Sequence, residues 1–311
     1  MRKTALALAA SLVLAGPVAA QDKLTVLLEW FVNPDHAPLV VARELGLFEK
    51  AGLEVELLPP ADPSIVPRAV ASGQAEIGVH YQPNLYLDHE AGVPLVRFGT
   101  LVETPLNTLT VLADGPIKNL RDLAGKRVGF SVSGFEGVIL STMLSNAGVK
   151  SDDVELVNVN FALTASLIGG KVEATIGGFR NFELTQMRLG GHEGKAFFPE
   201  DYGVPVYDEL IFVTRPDLVS DERLVRFLDA VEKGAIYLTN HPQESWELFI
   251  RAYPDLDDEL NRRAWADTLP RFAKRPAALD SGRYERFGKF LAKNGLIKSE
   301  PALADIAVEL R

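Results

Sequence analysis

The hydrophobic pattern of this chain switches repeatedly between short apolar runs and stretches with helical spacing. Residues 24–28, Leu-Thr-Val-Leu-Leu, read as a short buried strand. Trp30 to Asn33 then form a loop, and a segment opening at Pro34 becomes helical by Leu39 until Gly46 interrupts it ahead of Leu47 and Phe48. Residues 54–58 alternate acidic and apolar positions as a half-exposed strand does, and Pro59-Pro60 closes that run. A helix over 65–70 leads into the strand 77–79. Strand, helix, strand, helix, strand is the order of an α/β sheet with crossover helices.

The same logic starts again at Leu120. A helical turn feeds the strand that ends at Phe130, Ser131 to Gly134 form a loop, and a helix is predicted over 136–146. A strand over 154–159, a helix over 163–168 and a strand over 174–176 follow. The pattern therefore predicts two α/β units, one before about residue 105 and one after it. After a strand over 209–213 the last third is helical, over 222–240, 242–251, 259–274 and 283–293. Leu224, Phe227, Leu228, Val231, Ala235 and Ile236 fall near one face of the first of these helices, which are expected to complete and brace the first unit.

The N-terminus follows a different rule. Arg2 and Lys3 precede an Ala/Leu-rich stretch from Ala5 to Ala15, then Gly16-Pro17 and the small residues Val18-Ala19-Ala20. This is the pattern of an export signal, residues 1–20, cleaved after Ala20, and its apolar part is shorter than a membrane span needs. Of the 311 residues, 42 are acidic and 32 are Lys or Arg, for a formal charge of -10. An acidic chain without a basic run is a poor partner for nucleic acid. Cysteine is absent, which excludes disulfides, thiolate metal sites, cysteine nucleophiles and a lipid-modified N-terminal cysteine. The expected product is a diffusing, monomeric periplasmic protein.

Candidate chemistry gathers in loops that follow predicted strands, where α/β folds place their ligands. Glu29, Trp30, Asn33 and His36 follow the first strand, and His80, Tyr81, Gln82 and Asn84 follow the third. Ser131, Ser133 and Gly134 precede a helix start, whose free N–H groups are suited to a ligand acceptor or carboxylate. A fourth group is Gly177, Gly178, Arg180, Asn181 and Glu183. Aromatic faces mixed with amides and hydroxyls suit a flat, polar heteroaromatic ligand. The five histidines, His36, His80, His89, His192 and His241, show no H-E-x-x-H spacing. A Walker A loop, a G-x-S-x-G elbow and a G-x-G-x-x-G fingerprint are also lacking. Binding rather than catalysis is expected, with no metal and no cofactor.

The run Leu28-Glu29-Trp30-Phe31-Val32-Asn33-Pro34-Asp35-His36-Ala37-Pro38-Leu39 resembles the NMT1/THI5-like family, as do Ala71 to Gly78, Asp122 to Gly129 and Gly203 to Leu210. The resemblance implies a two-lobed periplasmic-binding-protein fold of type II, each lobe a mixed sheet flanked by helices, with extra C-terminal helices. The lobes would be residues 22–104 plus 214–311 and residues 105–213, with hinge crossings near 103–106 and 212–216. It further implies the solute-binding component of an ABC importer, working with a permease and an ATPase, for formylaminopyrimidine or hydroxymethylpyrimidine. Sulfonates, nitrate and riboflavin are the alternatives within that frame. Trp30, Asn33 and His36 make the resemblance to the pyrimidine branch, and Glu183 matches its second-lobe glutamate. In this reading the ring stacks on Trp30 and Tyr81, while Asn33, His36, Asn181 and Glu183 meet its polar edge and the loop of Ser131, Ser133 and Gly134 meets a substituent. The family also has pyrimidine synthases with a cysteine-rich motif, from which this cysteine-free chain departs.

Overall fold

The computed structural model describes residues 21–310. The expected export segment 1–20 and its cleavage site lie outside them. The first α/β unit consists of β1 (Asp22–Leu27), α1 (Ala37–Glu44), α2 (Leu47–Lys50), β2 (Leu53–Leu58), α3 (Val66–Ala71), β3 (Ile77–His80), α4 (Gln82–Glu90) and β4 (Val96–Val102). The second consists of β5 (Asn107–Leu112), β6 (Arg127–Phe130), α5 (Phe135–Asn146), β7 (Glu155–Asn158), α6 (Leu163–Ile168), β8 (Ala174–Phe179), α7 (Glu183–Leu189) and β9 (Gly194–Phe197). The chain returns as β10 (Leu210–Thr214) and ends in α8 (Glu222–Asn240), α9 (Pro242–Ala252), α10 (Glu259–Thr268), α11 (Ser281–Lys293) and α12 (Leu303–Ile306).

Two five-stranded sheets result, in the orders β2-β1-β3-β10-β4 and β7-β6-β8-β5-β9. Each is mixed: β1 runs parallel to β2 and β3 while β10 is antiparallel to β3 and β4, and β6 runs parallel to β7 and β8 while β5 is antiparallel to β8 and β9. The fourth place in each order belongs to the strand arriving from the other lobe. The two passages are tied together by Glu209, whose Oε2 accepts from the backbone N–H groups of Leu106 at 2.5 Å and Asn107 at 2.9 Å. The return point corrects the expectation of a crossing near 212–216. Phe212 faces Val79 on one side and Gly99 on the other, so all of β10 lies in the first sheet and the chain crosses back before Leu210.

The apolar pattern does not foreshadow β4, β5 and β9. The first carries a fully buried arginine, Arg97, whose guanidinium donates to Thr100 Oγ1 at 2.8 Å and to the carbonyls of Val308 and Ala278 in the C-terminal segment. The buried strand β5 holds Asn107, Thr108 and Thr110, and β9 is short and contains Lys195. In the last third, α10 stops at Thr268 instead of reaching 274, because Pro270 has no backbone N–H to continue the ladder. The predicted apolar face of α8 is buried from Leu224 to Ala235, whereas Ile236 is exposed. That face packs on α1 and α2, with Phe227 stacked on Phe48 at 5.5 Å. Gly234 allows the close approach, since a Cβ there would press on the Pro38 carbonyl. Among the described residues no helix is long and apolar enough to cross a membrane.

Candidate ligand-binding cleft

The ends of β1, β3, β6 and β8 face one another across the two lobes, and a cleft of about 440 Å³ lies between them. Glu29, Trp30, Asn33, Asp35 and Tyr81 line it from the first lobe, and Val132, Glu136, Leu163, Gly177, Phe179, Phe182 and Glu183 from the second. Of the residues singled out in the sequence, Glu29, Trp30, Asn33, Tyr81, Gly177 and Glu183 reach this wall.

The first-lobe wall is organised by the turn after β1. Asn33 caps the 3-10 turn over Pro34–His36, its Oδ1 accepting from Asp35 N at 2.7 Å, while its Nδ2 donates to the Phe31 carbonyl at 3.1 Å. Both ends of the amide are therefore engaged by its own loop. His36, expected to meet the ligand, is fully buried and stands behind the residues that line the cleft. Its Nε2 lies 3.0 and 3.1 Å from the two oxygens of Glu29, and its Nδ1 accepts from Asn33 N at 3.2 Å. Burial pulls the His36 pKa down and the charge of Glu29 pulls it up, with the upward pull prevailing. A second proton on Nδ1 would, however, cost the contact with Asn33 N–H. The ring thus acts as the brace that aims Glu29.

Asn181 plays the same part for Asp35. It is buried behind the wall, where its Nδ2 donates to Asp35 Oδ1 at 2.7 Å and to Thr268 Oγ1 at 2.6 Å, and Thr268 also reaches Asp35 at 3.0 Å. This knot joins the first lobe, the second lobe and α10. Burial raises the Asp35 pKa from 3.8 to about 6, partly opposed by His36 and by these hydrogen bonds. Thr268 was not singled out in the sequence, because its helix carries no site pattern of its own.

The second-lobe wall includes one residue of the loop at Ser131 to Gly134. None of Ser131, Ser133 and Gly134 lines the cleft, and Val132 takes that place. Three backbone donors of the loop and helix start are already used: Ser131 N donates to Glu136 Oε2 at 2.8 Å, Ser133 N to Ser64 Oγ at 3.1 Å and Phe135 N to Asn84 Oδ1 at 3.0 Å. The Ser131 hydroxyl donates to the Asn160 carbonyl. Gly134 has φ +99°, and a Cβ there would press on Asn84 and Leu87 across the lobes. Glu136, missed in the sequence, is the acceptor that fills the loop. Burial lifts its pKa from 4.5 to about 8, against the pull of the Ser131 and Val132 amides. Glu183 is also lifted to about 8 by burial, although its Oε2 accepts from Phe179 N at 2.5 Å.

Aromatic rings close the mouth. Trp30 meets Phe161 of the second lobe edge-on at 4.7 Å, and Phe31 lies 4.4 Å from the same ring. Tyr81 is stacked on Phe135 at 4.9 Å. Three further candidates serve the scaffold. His80 binds Asp88 at 2.7 Å, Gln82 sits in α4 and accepts from Asp208 N, and Arg180 pairs with Glu200 beneath the Phe198 ring. Among the described residues no group of three or more His, Cys, Asp or Glu side chains is placed to hold a metal ion.

The comparisons agree with this frame. A Haemophilus influenzae protein whose name links it to thiamine biosynthesis is 48% identical over 300 residues, covering 96% of each chain. The formylaminopyrimidine-binding protein of Halalkalibacterium halodurans is 34% identical over 233 residues, 74% of this chain and 71% of its own. A 4-amino-5-hydroxymethyl-2-methylpyrimidine phosphate synthase of Legionella pneumophila is 29% identical, covering 87% and 88%. The alkanesulfonate-binding protein of Xanthomonas axonopodis pv. citri, 15% identical, superposes with a TM-score of 0.71 over 93% of this chain and 98% of its own, which fixes the fold as that of a periplasmic binding protein. The NMT1/THI5-like family model matches residues 33–245. With two mixed sheets closing on a carboxyl-rich cleft and with that match across most of both lobes, the chain belongs to the NMT1/THI5-like family.

Proposed function

We propose that this protein is the solute-binding component of an ABC importer, carrying a thiamine-related aminopyrimidine between its lobes. The composition of the cleft carries the reading: four carboxyl side chains, Glu29, Asp35, Glu136 and Glu183, stand among Trp30, Tyr81, Phe179 and Phe182, with neither lysine nor arginine on the wall. An aminopyrimidine edge offers an amine donor beside a ring nitrogen, and a carboxyl group meets both whichever partner holds the shared proton. The ring is then expected to lie against Trp30. A sulfonate or nitrate would enter against the charge of Asp35 and would find no lysine or arginine on the wall to receive it.

The names of two relatives, one a formylaminopyrimidine-binding protein and one a pyrimidine phosphate synthase, support a pyrimidine as the ligand class. Formylaminopyrimidine and hydroxymethylpyrimidine are the proposed cargoes, delivered by a monomer in the periplasm to a permease and its ATPase. Residues 22–104 with the C-terminal helices and the β5–β9 lobe would move about the paired crossings as the ligand enters.

Calorimetry of the protein lacking residues 1–20 tests the reading, with formylaminopyrimidine, hydroxymethylpyrimidine, thiamine, riboflavin, taurine and nitrate as titrants. A pyrimidine is expected to bind, and Trp30→Ala to weaken it about three- to tenfold, from roughly 0.5 to 1.5 kcal/mol of ring contact beyond area burial. Binding of taurine or nitrate alone would sink the proposal. Turnover of the pyrimidine, with or without added iron, would move the protein to the synthase side of its family.

A further inference from the structure

Glu136 stands out because the wall is built around it. It lies in the first turn of the twelve-residue helix α5, is 2% exposed, and turns its carboxyl back onto the backbone amides of Ser131 and Val132. The opposite boundary is Gly177, at φ +103°, where any Cβ would collide with the Glu136 carboxyl. No lysine or arginine shares the cleft wall with it, and its only described donors are main-chain N–H groups.

An amide recess beside a helix start is the place where an incoming anionic headgroup would be received. Here the protein supplies that acceptor itself. We propose that Glu136 sets the charge selectivity of the cleft by filling, with its own carboxyl, the amide-lined recess of the second lobe, so that anionic headgroups are refused and neutral or cationic rings are admitted. The inference deepens the proposed function and rests on the same cleft being the binding site. At neutral pH the buried group is largely the uncharged acid, since burial lifts it to about 8. Its exclusion of anions is therefore one of occupancy, and its O–H remains a donor for an acceptor on the ligand.

Two variants separate occupancy from charge. Glu136→Ala empties the recess, whereas Glu136→Gln keeps a side chain of the same size with a carbonyl for the Ser131 amide. Binding of methanesulfonate is measured by calorimetry at neutral pH for the parent and both variants, with circular dichroism to establish that each is folded. Glu136→Ala is expected to bind methanesulfonate at least tenfold more tightly than the parent, and Glu136→Gln to refuse it as the parent does. Equal affinity of parent and Glu136→Ala would overturn the proposal. So would admission of the anion by Glu136→Gln to the same extent as by Glu136→Ala, because then filling the recess is not what excludes it. A parallel titration with 4-amino-5-hydroxymethyl-2-methylpyrimidine reports on the ligand class separately: its failure to bind the parent counts against the pyrimidine reading, while the methanesulfonate result still decides the role of Glu136.

Discussion

The two lobes repeat one sheet order, yet they hold their cleft carboxyls by different means. In the first lobe Glu29 is gripped by the His36 ring seven residues on, and Asp35 by Asn181 and Thr268 from distant parts of the chain, so side chains supply the donors. In the second lobe Glu136 and Glu183 lean on the main-chain amides of Ser131 and Phe179, within a few residues of themselves. The consequence is electrostatic. Asp35, pushed only to about 6, is mostly ionised at neutral pH, whereas Glu136 and Glu183, both pushed to about 8, are mostly neutral acids. One wall thus brings charge and the other brings protons, although both are built from the same residue chemistry. Burial raises all three groups, and at Asp35 it is opposed by the charge of His36 as well as by the Asn181 and Thr268 hydrogen bonds.

Removing a brace breaks the comparison most severely. His36→Ala leaves Glu29 buried without its partner, and the expected cost is about 3 to 5 kcal/mol of folding stability, read from urea unfolding at neutral pH. A loss below about 1 kcal/mol would mean that the pair contributes no more than a surface contact. The next largest effect falls on the second-lobe wall. Glu183→Ala is expected to weaken aminopyrimidine binding by about 1 to 3 kcal/mol, some five- to hundredfold, as leaving a buried donor or acceptor of the ligand unsatisfied does. Glu183→Gln answers the same donor and acceptor without charge and is expected to retain most of the affinity. Calorimetric titrations of the two variants side by side separate side-chain shape from the carboxyl group itself, and equal losses would assign the whole effect to the carboxyl group.

The smallest effect sharpens the contrast through pH. Glu136 and Glu183 have native pKa values raised from 4.5 to about 8, so their contribution to stability is complete below pH 4.5 and is lost as the pH rises toward 8. Between pH 6 and 7 the unliganded protein is expected to lose about 1 kcal/mol through Glu136. Glu136→Gln should flatten that slope in urea unfolding repeated at each pH, and an unchanged slope would show that Glu136 is not among the groups that set it.

Much of the frame was legible along the chain. The alternation of runs located β1, β2, β3, β6, β7 and β8 and the long α8, because strand and helix periods depend on nearest neighbours. Trp30, Tyr81 and Glu183 were legible as loop residues after strands, which is where this topology opens. The strand β4 was not, since Arg97 near its start donates to carbonyls about 180 and 211 residues away, a contact that no local pattern carries. The return crossing was placed too late for a similar reason: β10 reads as a strand in either lobe, and only its pairing with β3 and β4 assigns it.

The sequence by itself determined the two α/β units, the acidic, cysteine-free character of the chain and the loops from which a site is built. Those properties follow from composition and from periodicities of two and 3.6 residues. Tertiary structure alone decided which side of each loop faces the cleft. It withdrew His36 and Asn181 to brace Glu29 and Asp35, spent the Ser131 amide on Glu136, and brought Thr268 from the C-terminal helices to the knot between lobes. The physical reason is that a buried polar group must find a partner. Which partner it finds depends on the segments that fold against it.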